Sequence, residues 1–279
     1  MIVCGVDLSD AAAPAIAVAR HLAGALGGLL LIAHAVDGPG DQADRIAALR
    51  ERAGAGDAEV RLLPPAPAAE ALLAVCADEG ARLLVVGSRG HSALRSGLLG
   101  SVTRDLAAGA PIPLVVVPPH YAGGDGGATV VCGVDGSAHA VAAARISGEL
   151  AGALGGRVVV AHALKDLRAT IAYLGARSTQ PALTGQPDAR EAEAVAIVEE
   201  ALGGAGDGAA GVIEPGAPWD ALQAVADRED ASMLAVAARG QSAARAALLG
   251  SVATRLAEEA TRPILVVPEP AEGASLSGA

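Results

Sequence analysis

Phenylalanine is absent from this 279-residue chain, and Tyr121, Tyr173 and Trp219 are its only aromatic residues. The base-stacking platforms of single-strand nucleic-acid binders are therefore missing. Lysine occurs once, at Lys165, a bias that reads as base composition rather than function. The 20 basic residues face 31 acidic ones, and the net charge of −11 repels a phosphate backbone. Nucleic-acid binding is excluded on both counts. Three cysteines (Cys4, Cys76 and Cys132) are too few for a disulfide framework and too far apart for a zinc site. No apolar run reaches the roughly 18 residues that span a bilayer. The best candidate, 27–36, is short and carries His34. The N-terminus has no basic region and an early Asp7, which does not fit a signal peptide. The expectation is a soluble, cytoplasmic protein with no membrane partner.

What is present is apolar material: 52% hydrophobic residues, mostly Ala, Val and Leu, with mean hydropathy +0.43. The length suggests about two domains. An internal repeat organises them. Ile2-Val3-Cys4-Gly5-Val6-Asp7-Leu8-Ser9 returns as Val130-Val131-Cys132-Gly133-Val134-Asp135-Gly136-Ser137, 128 positions on (7 to 135). Ile32-Ala33-His34-Ala35 returns at the same offset as Val160-Ala161-His162-Ala163. Leu98-Leu99-Gly100-Ser101-Val102 returns as Leu248-Leu249-Gly250-Ser251-Val252, 150 positions on (100 to 250). The second repeat therefore holds 22 more residues between His162 and Gly240. A period this long means duplicated domains.

Within the first repeat, short β-rich runs at 2–6, 29–35, 58–63, 83–87 and 112–117 alternate with helical stretches at 10–26, 41–53, 68–80 and from Ser101. This alternation indicates βαβ units and a parallel sheet, and fully apolar runs fit strands buried on both faces. The predicted fold is α/β: two tandem doubly wound domains, each a five-stranded parallel sheet flanked by helices. The boundaries predicted are 1–119 and 129–268, joined by a linker at 120–128 that holds Gly123-Gly124-Asp125-Gly126-Gly127. The extra residues fall at about 165–208, as a loop (178–187) before a helix at 188–202. Residues 269–279 read as a flexible tail.

The Gly/Ser loops sit where open α/β sheets bind ligands, beyond the carboxyl ends of central strands. Gly87-Ser88-Arg89-Gly90 follows a strand, and Gly100-Ser101-Val102-Thr103 opens a helix. Helix-start amides, with Ser101 as N-cap, favour an anion such as a triphosphate. Asp7 and Asp135 follow their first strands on the same edge, placed for a ribose or base.

These residues resemble the universal stress protein family over both repeats. Its ATP-binding branch carries Gly-x2-Gly-x9-Gly-Ser/Thr, matched here by Gly87, Gly90, Gly100 and Ser101. The resemblance implies that Asp7, Gly87 and the backbone near Ala35 face the nucleoside, while Gly90, Gly100, Ser101 and Val102 face the phosphates. The second set is Asp135, Ala163, Ala237, Gly240, Gly250, Ser251 and Val252, with Ala237 replacing the first glycine. It further implies that the last strands, 112–117 and 264–267, pair between domains as an internal pseudo-dimer or support a homo-oligomer.

Other readings stand beside these. Asp7 fits a helix cap near Asp10 as well as a ligand contact. His34 and His162 end apolar strands and read as structural histidines, and the cysteines as inert core thiols. Arg89, Arg239, Arg95 and Arg245 are either solvated loop residues or phosphate neighbours. Trp219 is expected to pack a helix against the sheet. Gly206-Asp207-Gly208-Ala209-Ala210-Gly211 follows a helix and precedes a strand, the reverse of a dinucleotide fingerprint.

No P-loop lysine motif, paired carboxylates or Ser-His-Asp spacing occurs, so a catalytic role is not expected. The sequence points to an adenine-nucleotide (ATP) binder, with Mg2+ accompanying the triphosphate, that acts as a stress-response regulator through nucleotide-dependent association. The alternatives are a slow ATP-using enzyme and a nucleotide-free interaction protein.

Overall fold

The structure, a computed structural model, describes residues 1–36, 41–54, 58–89, 99–123, 128–165, 171–173 (backbone), 188–240, 249–269 and 275–276. It comprises two units, Met1–Gly123 with Ala257–Pro263, and Gly124–Leu256 with Ile264–Ala279.

In the first unit β1 (Ile2–Gly5) leads through a 3-10 turn (Asp10–Ala12) into α1 (Ala13–Ala25). Then come β2 (Leu30–Ala35), α2 (Gln42–Ala53), β3 (Glu59–Leu63), α3 (Ala68–Asp78), β4 (Leu83–Gly87), α4 (Ser101–Gly109) and β5 (Leu114–Val117). The strands are parallel in the order β3-β2-β1-β4-β5. Ile2, Val3, Cys4, Leu31, Ile32, Leu83 and Leu84 are fully buried, as apolar strands covered on both faces must be. Each buried Leu, Ile or Val side chain contributes about 1.5–3 kcal/mol.

α1 ends because Gly27 takes φ +59°, a conformation a side chain disfavours. Gly28 N–H then donates to Ala23 at 2.9 Å and Gly27 N–H to Gly24 at 3.3 Å, the paired bonds of a Schellman cap. The duplicated Leu-Gly-Gly does the same in the second unit, where Gly156 donates to Ala151 at 2.8 Å and Gly155 to Gly152 at 3.0 Å.

The second unit runs β6 (Val130–Gly133), α5 (Ala138–Ala153), β7 (Val158–Leu164), β8 (Ile171–Tyr173), α6 (Ala189–Gly204), β9 (Ala210–Pro215), α7 (Pro218–Arg228), β10 (Met233–Ala237), α8 (Ser251–Glu259) and β11 (Ile264–Val267). Five strands are parallel in the order β9-β7-β6-β10-β11. The insertion adds one strand beyond the expected five: β8 lies antiparallel on β9. α6 begins with a capping box, in which Asp188 accepts from the Glu191 N–H at 2.9 Å and Glu191 accepts from the Asp188 N–H at 3.0 Å.

Trp219 is half-buried and lies under the Arg255 guanidinium, 5.0 Å from its ring centroid, a cation–π contact. At Ser275 and Leu276 the tail is anchored: the Ser275 hydroxyl and the Leu276 N–H both donate to Glu149 Oε2 at 2.7 Å. Leu276 is fully buried, so its apolar side chain outweighs the polar and glycine-rich composition that suggested disorder.

In each unit the chain leaves its first strand in one direction and returns to the other side of it, through β4 or β10. The crevice at the carboxyl ends of β1 and β4, and of β6 and β10, is the topological switch point where such sheets bind ligands.

Candidate functional site

A cavity of ≈ 220 Å³ occupies the first crevice and one of ≈ 150 Å³ the second. Each draws on the end of the first strand, the end of the second, the start of α3 or α7, and the glycine loop. The floor exists because the first strand ends in glycine. A Cβ on Gly5 would come within 2.7 Å of Leu72, and one on Gly133 within 2.8 Å of Leu222. Leu72 and Leu222 line their cavities at equivalent positions of α3 and α7.

Asp7 lines the first cavity and Asp135 the second. One oxygen of each is committed locally. Asp7 Oδ1 accepts from the Ser9 N–H at 3.1 Å and its hydroxyl at 2.5 Å; Asp135 Oδ1 does so from Ser137 at 3.1 and 2.6 Å. Both aspartates thus organise the turn into the helix and also face the cavity. In the second unit the other oxygen, Oδ2, lies against Gly240, where any Cβ would overlap it. The glycine is what lets the aspartate approach the loop backbone.

His34 and His162 also line the cavities, each with Nδ1 donating to a backbone carbonyl, Val6 at 2.9 Å and Val134 at 2.8 Å. Because a carbonyl only accepts, Nδ1 carries the proton. The two histidines tie the second strand to the turn after the first. Ala35 and Ala163 follow them on the cavity rim.

The sequence placed Ser101 as the N-cap of α4. Instead Gly100 is the N-cap (φ −59°, ψ 147°) and Ser101 is the first helical residue. Gly100 is held by its own N–H, which donates to Ser88 at 2.9 Å, while its carbonyl accepts from Arg104 at 2.9 Å. The cap is therefore a backbone device, and the exposed Ser101 hydroxyl is not spent on it. The second unit repeats it: Gly250 donates to Ala238 and accepts from Thr254, both at 2.8 Å. The first N–H groups of α4 and α8, at Ser101-Val102 and Ser251-Val252, open on the cavities with no intrahelical acceptor. Such amides, at the positive end of the helix dipole, attract an anion.

Gly87 and Ala237 line matching walls, and neither has positive φ. The conformational reason for a glycine at this position is thereby removed. The spatial one remains: a Cβ on Gly87 would stand 3.2 Å from the Arg89 carbonyl oxygen. Gly240 lines the second cavity, whereas Gly90, Arg95 and Arg245 lie outside the described residues. Arg89 and Arg239 line their cavities.

Sequence reasoning missed the Gly5–Leu72 and Gly133–Leu222 pairs and Thr103. The repeat could have marked the leucines, since Ala68-to-Leu72 and Pro218-to-Leu222 stand at the same offset as the glycine loops. Burial pushes the thiols of Cys4, Cys76 and Cys132 up to about 12, so they are protonated core residues. Among the described residues no group of three or more His, Cys, Asp or Glu could hold a metal, and no helix is long and apolar enough to cross a membrane.

The chain is similar to a universal stress protein of Mycolicibacterium smegmatis, with 30% identity over 197 residues. That match covers 68% of this chain and 63% of the relative, so the chain spans under two thirds of that protein's length. A universal stress protein from Archaeoglobus fulgidus DSM 4304 shares the fold at TM-score 0.64, with 16% identity over 96% of this chain and 98% of that one. A functionally unknown protein of Pseudomonas aeruginosa PAO1 does so at TM-score 0.64, with 18% identity over 96% and 92%. The universal stress protein family model matches residues 40–118 and again 128–268. The chain belongs to the universal stress protein family.

Proposed function

We propose that each repeat binds an adenine nucleotide, ATP in the first instance, and that occupancy regulates association with itself or with protein partners in a stress response. The observation that carries this reading is the recurrence of a cavity with matching lining positions at both switch points, each lined by helix-start residues and by an aspartate. The amides suit phosphates, and the aspartate suits a ribose hydroxyl or base donor. Mg2+ arrives with the triphosphate in this reading, held by phosphate oxygens and water.

Holding is favoured over turnover by what the lining residues already do. Asp7 has one oxygen bonded to Ser9, and His34 has Nδ1 bonded to Val6. The one hydroxyl on Asp7 is that of Ser9, two residues on in the same turn and serving to hold it, and His34 spends its Nδ1 proton on a backbone carbonyl rather than activating a nucleophile. Native mass spectrometry of the purified chain, followed by calorimetric titration with ATP, ADP, AMP and cyclic AMP, tests the reading. Bound adenine nucleotide without multiple-turnover hydrolysis is expected. A chain that binds none of the four would overturn it in favour of a nucleotide-free interaction protein.

A further inference from the structure

We infer that Glu269 tunes the second cavity against phosphate-bearing ligands by competing for Arg239. The inference rests on the nucleotide-binding reading above. Arg239 lines the second cavity directly before Gly240, where a guanidinium would meet phosphate oxygens. Its Nη1 lies 3.5 Å from Glu269 Oε2, just beyond the end of β11. The other carboxylate oxygen, Oε1, lies 3.4 Å from His139 Nε2, near the start of α5. Glu269 is thus held between a residue of the glycine loop and a residue of the helix that follows Asp135.

A polyphosphate entering this cavity meets Arg239 already facing a carboxylate. It must share the guanidinium or displace Glu269, and it also feels the repulsion of that negative charge. A neutral nucleoside meets neither cost. Glu269 therefore lowers affinity in proportion to the ligand's negative charge and leaves the nucleoside contacts untouched. The first repeat has Pro119 at the position matching Glu269 and Ala11 at the position matching His139, while Arg89 is retained. These positions give the first cavity no such competitor. The duplication has produced two cavities with matching lining positions and different tolerance for charge.

The Glu269–Arg239 pair is partly solvent-exposed, with side chains 65% and 25% accessible, so the effect is modest. Calorimetric titration of the full chain with ATP and with adenosine, before and after Glu269→Gln, tests it. Glu269→Gln should tighten ATP binding at the weaker site by about two- to fivefold and leave adenosine unchanged. In an Arg239→Gln background the same substitution should give no gain. Unchanged or weakened ATP binding in Glu269→Gln would overturn the inference while leaving the nucleotide reading standing, and so would equal gains for ATP and adenosine. Absence of ATP binding at both sites of the unsubstituted chain would defeat the reading itself.

Discussion

The Thr103 hydroxyl donates to the carbonyl of Gly87 at 2.8 Å, fastening the first turn of α4 to the last residue of β4. Thr103 is buried, at 4% exposure, so this bond holds the strand end against the start of α4 where both line the first cavity. The second unit has Ala253 at the matching position and lacks this fastening hydroxyl. Thr103→Val keeps the shape and deletes the donor. It should cost about 1 kcal/mol in chemical denaturation, because a buried carbonyl loses its partner. ATP affinity at the first site should fall with it, and Thr103→Ser should restore both.

Gly100→Val should abolish or strongly weaken ATP binding in the first repeat. The residue sits at φ −59°, which any amino acid adopts, so the penalty is one of space. A Cβ alone would stand 3.4 Å from the Ser88 carbonyl oxygen and 3.7 Å from Arg89 Cα. Alanine should therefore be tolerated, while the branched methyls of valine crowd the loop or the ligand. Calorimetry on Gly100→Ala and Gly100→Val, with circular dichroism as the folding control, should separate the two. Equal ATP affinity in both variants and the unsubstituted chain would remove the phosphate role.

Ala237→Gly should strengthen the weaker of two sites, by about tenfold at most. The backbone at Gly87 and Ala237 is ordinary, so conformational strain contributes nothing, and what remains is the space the methyl takes from the loop backbone and the ligand. Two identical sites, unaffected by the substitution, would show that this methyl is without consequence.

The repeat made most of the fold legible. Strand-turn-helix patterns duplicated at fixed offsets placed the strands, the helices and the cavity loops, because buried parallel strands are read directly from apolar runs. What escaped was tertiary. Nothing local distinguishes Gly5 as the residue that makes room for Leu72, or Gly100 from Ser101 as the cap, since both depend on what packs opposite. β8 escaped because three residues inside an insertion carry no period. Leu276 escaped because one leucine in a Gly/Ala/Ser tail is outweighed by its neighbours in any window, yet a single buried side chain suffices to anchor it.

Stability should fall in alkali through the buried thiols. Their folded pKa values of about 12 stand above the ordinary 9.0, so the native state keeps protons that the unfolded chain releases. The contribution is fully present below pH 9 and is lost as pH rises from about 9 toward 12, at up to about 1.4 kcal/mol per pH unit for each thiol. Urea midpoints at pH 8 and pH 10 check the sign. A thiol reagent at pH 8 should label these cysteines only on unfolding.

Gly148→Ala should destabilise the second unit by about 1–3 kcal/mol, because a Cβ there would overlap the Ala205 carbonyl where α5 meets the end of α6. Thermal unfolding should report it. ATP affinity measured well below the transition should be unchanged, since Gly148 lines neither cavity.

The central claim, that two equivalent switch-point cavities hold nucleotide, is tested most directly by calorimetric titration of the full chain with ATP. The account predicts two molecules bound per chain, one more tightly than the other, with the tighter class removed by Gly100→Val. Binding of no ATP would contradict it, and so would binding that survives Gly100→Val and the equivalent Gly250→Val together in a folded chain.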